Sequence, residues 1–595
     1  MRTAPYSRPR KTVGRHRPRG RGQRRCVAVA QSTGGIGRRQ IFTGAAATVG
    51  ATAVAGLLGN TPAVAATDLT AQDVGARDGA APDPIRVTSA DQQYPELVRG
   101  VNQRYVGSPE AVYVIHSTDQ VAGVVQQAVS AGKRITVSSS GHCLEDFVFN
   151  PDVEVVLDLS PLDRVSYDPD RNAVAVETGA ALLDVYHTLY QNWGVTIPAG
   201  ICYSVAAGGH VSGGGWGLLC RQQGLVIDHL YAVEVVVVDQ SGAVRTVVAT
   251  READDPHRDL WWAHAGGGGG NFGIVTRYWF RSPGATGNSP KTLLPKPPSS
   301  VYLLAVSWPW AQMTQDAFSR LVANYASYFV ANNAPGNPRT ALASFLVLTH
   351  QSAGQIGMVT QVDATVPGAR QMLDDYLAAL NTGVGVQHTA LTRPMAELTA
   401  MEQYAEPRLL PWFEATKYLG TTNANLTDST LRQEYKSAYM ADVFPARHLS
   451  VMYKYLSQAG VAIPGASVTL SSYGGQVNAT APDATAYPHR ESAFKMMWMS
   501  RWADPTDDAT YIAWNRAFYS ELYSDTGGVP VPNGTTDGCY VNYPDADLSD
   551  PQYNRSATPW SALYYKGNYA ALQQVKKEYD PLNVFRHRQS VELPS

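Results

Sequence analysis

Gly208-Gly209-His210-Val211-Ser212-Gly213-Gly214-Gly215-Trp216-Gly217 places six glycines in ten residues. Without side chains, backbone N–H groups can approach a ligand closely, and successive N–H groups form concavities that bind anions. Two further segments share this character, Ser138 to His142 and Gly266 to Gly273. Three of them within about 135 residues point to a phosphate-bearing cofactor rather than to turns without a ligand. The pattern is not that of a dinucleotide-binding βαβ unit. No strand of the required pattern precedes Gly208, and no acidic residue follows at the required offset.

Upstream of these glycines, Ala111 to Ile115 is extended and apolar. Val121, Val124, Val125, Ala128 and Val129 then recur at helical spacing, with Thr118 as N-cap and Gly132 as stop. Strand-like runs follow at Arg134 to Val137, Val153 to Leu157 and Ala173 to Glu177, and a helix is predicted from Ala180 to Trp193. Gln240-Ser241-Gly242 between Val233–Val238 and Val244–Val248 marks a hairpin. This is a mixed α/β domain. Ser282 to Ser300, rich in Pro, Gly and Ser, reads as a linker. Beyond it, Val301 to about Asp537 mixes strand-like runs (Ala341 to Leu348) with helix-like ones (Met372 to Leu380) and carries no catalytic motif.

The first 65 residues hold 12 of the 48 Lys and Arg and no Asp or Glu. The rest carries 36 basic against 50 acidic residues, a net −14, which is the wrong sign for a nucleic-acid binder. Arg38-Arg39-Gln40-Ile41-Phe42, the apolar run Thr43 to Leu58 and Ala63-Val64-Ala65 read together as a twin-arginine export signal with a cleavage site. A run of about 16 residues rich in Ala, Thr and Gly is short for a membrane anchor. The mature protein is therefore expected outside the cytoplasm, secreted or at the cell-envelope exterior, without an anchor. No two of Cys26, Cys143, Cys202, Cys220 and Cys539 stand within three residues of each other, so no zinc pair and no metal is expected. They are too few for a disulfide framework, although one bridge among Cys143, Cys220 and Cys539 stays open.

Five motifs in order resemble the berberine-bridge-enzyme-like oxidases of the vanillyl-alcohol-oxidase superfamily, over roughly Ser89 to Ser590. Thr136-Val137-Ser138-Ser139-Ser140-Gly141-His142-Cys143 is similar to the first flavin-attachment loop. Gly200-Ile201-Cys202-Tyr203-Ser204-Val205, running into the glycines at 208–217, is similar to the second. Gly268 to Thr276, Tyr540-Val541-Asn542-Tyr543-Pro544-Asp545 and the tail Leu563 to Phe585 complete the set. Two positions depart from the pattern. Ser138 replaces the usual arginine, which weakens a polar contact, and Ser140 replaces a glycine, which adds a Cβ at a tight turn.

The resemblance implies an α+β, two-domain vanillyl-alcohol-oxidase-type fold. Residues 1–65 are the signal and 66–88 a linker. Residues 89–281 would bind FAD, 301–537 would form an antiparallel-sheet substrate domain, and 538–595 would return to the FAD domain. It further implies FAD bound covalently, 8α-histidyl through His142 and 6-S-cysteinyl through Cys202. Ser138, Ser139, Ser140, Gly141, Val205, Gly208, Gly209, Ser212, Gly215, Ile274, Val275, Asn542 and Asn568 are the expected flavin contacts. His210 is expected to brace the glycine loop. The expected reaction takes an alcohol or hemiacetal of a small secondary metabolite to a carbonyl, with O2 as acceptor and H2O2 as product. An oligosaccharide oxidase and a flavin-containing drug-binding resistance protein are the alternatives. With no cation motif beside the glycine loops, a tyrosinate is the simplest base, drawn from Tyr540 and Tyr543.

Overall fold

The computed structural model describes residues 83–422, 428 and 430–595. The export signal and most of the expected linker lie outside the described residues. Three sheets organise the rest. In the first, β1 (Ile85–Val87), β2 (Ala111–Val114), β3 (Ile135–Ser138) and β4 (Val155–Asp158) stand in the order β1-β2-β4-β3. β2, β4 and β3 are parallel, and β1 joins antiparallel. Part of the stretch read as linker is thus an edge strand. Parallel strands need cover on both faces. Val121, Val124, Val125 and Ala128 of the helix Thr118–Ser130 pack on Val155 and Leu157, while Val112 and Val156 face Phe149 and Val153. Ser117, not Thr118, caps this helix by accepting from the Gln120 amide, and Gly132 takes φ +66° beyond its end.

The second sheet is antiparallel and places the glycine segments. Its strands β5 (Val165–Asp168), β6 (Ala173–Glu177), β7 (Leu230–Val238), β8 (Val244–Thr250) and β9 (Ile274–Phe280) run in the order β5-β6-β9-β7-β8. The expected hairpin is β7–β8. Gly273 sits immediately before β9, against the Val236 carbonyl of β7. The segment read as a linker packs down, with Leu293 and Leu294 buried.

The third sheet forms a roof. β10 (Ser300–Pro309), β11 (Leu342–Thr349), β12 (Gln355–Asp363), β13 (Thr389–Ala390), β14 (Arg408–Pro411), β15 (Arg432–Met440), β16 (Ala466–Ser472) and β17 (Phe494–Trp502) are all antiparallel. The order is β13-β10-β12-β11-β16-β17-β15, with β14 also on β10. Side chains alternate between its faces. On β17, Phe494, Met496 and Trp498 face the helices Gln315–Ala331, Ala369–Asn381, Ala446–Leu456 and Asp508–Leu522, as part of the largest core cluster. Lys495, Met497, Met499 and Arg501 point the other way. Register puts Phe345, Val347, Thr469, Ser471 and Tyr435 on that same inner face.

The tail returns to the first part of the chain. Lys576, on the helix Tyr569–Tyr579, is fully buried and donates to the carbonyls of Asn271 and Phe585 at 2.7 and 2.6 Å. It also pairs with Asp580 at 2.6 Å. The Asn271 side chain accepts from the Val591 amide, which ties the end of the chain to the third glycine segment. Among the described residues no helix is long and apolar enough to cross a membrane.

Candidate active site

A cavity of about 400 Å³ opens between the glycine segments and the inner face of the roof. Its floor comes from Ser138 to His142, Gly200 to Cys202, Gly208, Gly209 and Ser212, Gly268 to Gly270, and Ile274–Val275. Its ceiling carries Phe345, Val347, Thr469, Met497 and Tyr435, and Tyr540 to Pro544 close one side. Strand ends and turns therefore supply the polar groups, while the sheet supplies an apolar cover.

His142 and Cys202 reach this floor from two loops, with Cys202 Sγ 4.0 Å from His142 Nε2. Ser140 joins those loops. Its hydroxyl accepts from the Ala206 amide at 2.9 Å and meets His142 Nδ1 at 3.2 Å, beside its own carbonyl at 3.0 Å. The turn falls on Gly141, at φ +69°, so the Cβ of Ser140 is accommodated and its hydroxyl is used. Ser204 Oγ holds His142 Nε2 at 3.2 Å. Burial pulls the imidazole down to about 4, which keeps it neutral and nucleophilic. Burial pushes the Cys202 thiol up to about 12, with Glu397 adding to the rise, while Ser204 and the Arg501 charge oppose it. Cys143, the rival thiol, donates to the Glu145 carbonyl at 3.4 Å. Cys143, Cys202, Cys220 and Cys539 are all free, so none forms a disulfide. His210 accepts from the Gly200 amide at 3.2 Å and so braces the glycine segment.

Tyr540 and Tyr543 stand edge to face, ring centroids 5.0 Å apart. Asn542 donates to the Tyr540 hydroxyl at 3.3 Å and to the His210 carbonyl at 3.2 Å. Between the tyrosines lies a cation that the sequence reading missed. Lys495 Nζ is 4.7 Å from each ring centroid and 3.8 Å from that of Trp216, and it donates to the Tyr543 hydroxyl at 3.4 Å. No salt bridge reaches it among the described residues. Burial drives it down to about 7 against weak support from Cys220 and Glu397, and burial raises both tyrosines. The expectation of a site without a cation is therefore wrong. Lys495 belongs to no motif, and its only signal in the sequence is a charge alternating with Phe494, Met496 and Trp498 in an apolar strand.

Two expected contacts lie elsewhere. Asn568 spends its amide on the carbonyls of Pro482, Thr485 and Ala486, outside the cavity. Gly215, at φ +71°, packs against Val226 and His210 behind the wall, where a Cβ would lie 2.6 Å from the valine. The other expected residues all line the cavity.

The cavity fits a flavin. A Cβ built on Gly209 would meet no protein atom within 4 Å, so the wall is bare there. Trp216 Nε1, Thr469 Oγ1, Gln589 Oε1 and two nitrogens of Arg501 line the cavity, and each is buried without a protein partner. Unsatisfied buried polar atoms are costly, and several around one cavity mark a site shaped for a polar-edged ligand. A neutral imidazole and a thiol at one end complete a donor set suited to an electrophilic ring.

Two family models match the chain: "FAD binding domain" over residues 109–247 and "Berberine and berberine like" over 539–592. Aclacinomycin-N/aclacinomycin-A oxidase of Streptomyces galilaeus is 47% identical over 558 residues, 93% of this chain and 98% of that one. Hexose oxidase of Chondrus crispus is 30% identical over 541 residues, 85% and 94%. The crystal structure of a glycopeptide hexose oxidase complexed with teicoplanin superposes with a TM-score of 0.79 at 43% identity, covering 86% of this chain and 99% of that one.

Proposed function

Because this chain belongs to the berberine-bridge-enzyme-like FAD-linked oxidases, we propose that it oxidises a secondary alcohol or hemiacetal of a secondary metabolite to the carbonyl, carrying its FAD on His142 and Cys202. Bound FAD supplies the two-electron acceptor, which O2 re-oxidises with release of H2O2. The chain's own residues handle the proton. Lys495, Tyr540 and Tyr543 form one proton-accepting group, in which the hydroxyl proton of the substrate passes to a tyrosinate that the lysine charge stabilises. The position of Lys495 between the two tyrosines, without a carboxylate partner, is the observation that carries this reading. Phe345, Val347 and Met497 keep water from the reacting carbon. The names of the relatives support a substrate of this class.

Peroxide release against a panel of glycosylated and unglycosylated alcohols tests the reaction. No peroxide and no anaerobic bleaching with any of them would leave a flavin-containing binding protein. Flavin absorbance should stay with acid-precipitated protein, and colour in the supernatant would refute covalent attachment. His142→Ala and Cys202→Ala should each keep one link, so that only the double variant releases its flavin.

Export through the twin-arginine signal is part of the same proposal. That route carries folded proteins, which suits a chain that loads its cofactor in the cytoplasm. Lysines at both Arg38 and Arg39 should trap the precursor there, and normal export of that variant would overturn the assignment.

A further inference from the structure

The inner face of the roof carries a second polar cluster that the proton-accepting group does not use. Arg501 stands six residues along β17 from Lys495, roughly 20 Å away at the Cα atoms of an extended strand. Tyr543 and Tyr435, stacked at 6.3 Å, lie between the two heads. The Arg501 side chain is 7% exposed and lines the cavity. Both of its partners meet Nη2: Glu397 Oε1 at 3.0 Å and Tyr435 Oη at 2.8 Å. Nε and Nη1 are buried without a partner.

Other buried arginines are better served. Arg221 donates to three backbone carbonyls, those of Leu342, Asn332 and Tyr473. Arg490 makes a two-pronged pair with Asp228 and also reaches Thr485. A guanidinium does not shed its proton to escape such a cost, so the three idle N–H groups of Arg501 call for acceptor atoms from a ligand. Glu397 narrows the ligand. It already balances the Arg501 charge, and an anionic ligand would stand beside a second carboxylate. A neutral ligand with neighbouring hydroxyls meets both side chains. Its oxygens accept from Nε and Nη1, while an adjacent O–H donates to Glu397, which is 29% exposed. Hydroxyls at fixed spacing on a ring, with an apolar face to lay against Met497, are the chemistry of a sugar.

We propose that Arg501 and Glu397 form a distal subsite for a glycosyl unit, so that the substrate is a glycoside. The carbinol being oxidised lies at Lys495, Tyr540 and Tyr543, and another ring of the same molecule hydrogen-bonds Arg501 and Glu397. This rests on the alcohol-oxidase reading above.

Calorimetric titration of the flavin-loaded holoenzyme tests it, with methyl β-cellobioside and methyl β-maltoside as neutral probes and benzoate as an anionic one. Turnover is not required, so failure to release peroxide would count against the proposed reaction alone. At least one glycoside should bind, and Arg501→Lys and Glu397→Gln should each weaken its Kd by about tenfold or more, the scale of a lost charge-assisted hydrogen bond. Benzoate affinity should be unchanged in both variants. Loss of benzoate affinity in Arg501→Lys would make this an anion site and overturn the proposal. So would parental glycoside affinity in both variants, or no glycoside binding to the parent. Flavin absorbance and the unfolding midpoint check that the variants are folded. Should Arg501→Lys not fold, Glu397→Gln decides, since that side chain is partly exposed.

Discussion

Lys495 determines what the two tyrosines can do. A tyrosine raised by burial is a poor base, and a lysine lowered to about 7 is a cation only below that pH. Together they share protons. Below pH 7 the lysine and both phenols are protonated, and the set cannot accept a proton from substrate. Above it one proton has left, and the set is a base. Anaerobic flavin reduction should therefore rise with pH through about 7. Lys495→Met should slow reduction at pH 7.5 by roughly 10² to 10⁴ and push the rising limb toward tyrosine values. Tyr540→Phe or Tyr543→Phe should slow reduction on the same scale with flavin content intact, and parental rates in both would move the base elsewhere. Stability should change in the opposite sense. The folded chain binds the Lys495 proton less tightly than the unfolded one, so this residue lowers stability at pH 7 and below, and relief comes as pH rises toward 10.5. Lys495→Met should raise the melting temperature at pH 6 while costing activity, as groups held for chemistry often do. His142, Cys202 and the two tyrosines were legible because each sits in a motif. Lys495 and Arg501 were not, because register brings them to the cavity and no local pattern announces that.

At the scale of elements, the glycine segment and the roof differ in how far sequence could reveal them. The segment at 208–217 announces itself, yet its glycines have different tasks. A Cβ on Gly217 would lie 1.6 Å from the Ala199 carbonyl oxygen and 2.4 Å from its carbon, so backbone blocks it. On Gly209, within the short helix Ala207–Ser212, it would project into open cavity. Gly217→Ala should lower stability by more than the roughly 1–3 kcal/mol of ordinary overpacking, and flavin content should fall with it. Gly209→Ala should keep or slightly raise the stability of the flavin-free chain, since alanine is the better helix former by about 1 kcal/mol, and lose flavin loading. Unfolding midpoints and flavin-to-protein ratios separate the two, and equal stability loss in both would remove the distinction. The roof was only partly readable. Strands such as β17 are buried on both faces, so Phe494 to Trp502 reads as an unbroken apolar run with two charges, and period-2 alternation is masked. The helix Ala369–Asn381 was visible through its apolar stripe at Met372, Leu373, Tyr376 and Leu380. Asn568 and Gly215 misled because motif membership does not say which face of a wall a residue occupies.

Across the whole molecule the chain leaves the flavin domain at β9, builds the roof, and comes back through Tyr540 to the last helix. The ordered motifs predicted that return, but what secures it lies in one buried pair. Lys576 and Asp580 are both inaccessible to solvent. Burial lowers the lysine and raises the aspartate, so the pair gains little from charge as such. Its value lies in hydrogen bonds across the chain. Lys576 binds the carbonyls of Asn271 and Phe585, and Asp580 accepts from the amides of Val584 and Phe585 at 2.8 and 2.9 Å. Asp580→Ala strands a buried cation beside the third glycine segment and should cost about 3–5 kcal/mol. Lys576→Met removes the charge but leaves an aspartate that burial has already raised, and protonation of that carboxyl softens the loss. The aspartate variant should therefore be the less stable of the two at pH 7, and the gap between them should widen as the pH falls toward 5. Because Lys576 also holds the Asn271 carbonyl, Asp580→Ala should loosen the glycines at 268–270 and weaken flavin retention in a variant that also lacks His142 and Cys202. Denaturant unfolding at pH 7 and pH 5, with flavin release measured in the same samples, checks both parts. Equal stability of the two single variants at both values would show that the return of the tail rests on its apolar contacts, Phe585 against Ile135 and Val155 among them, rather than on this pair.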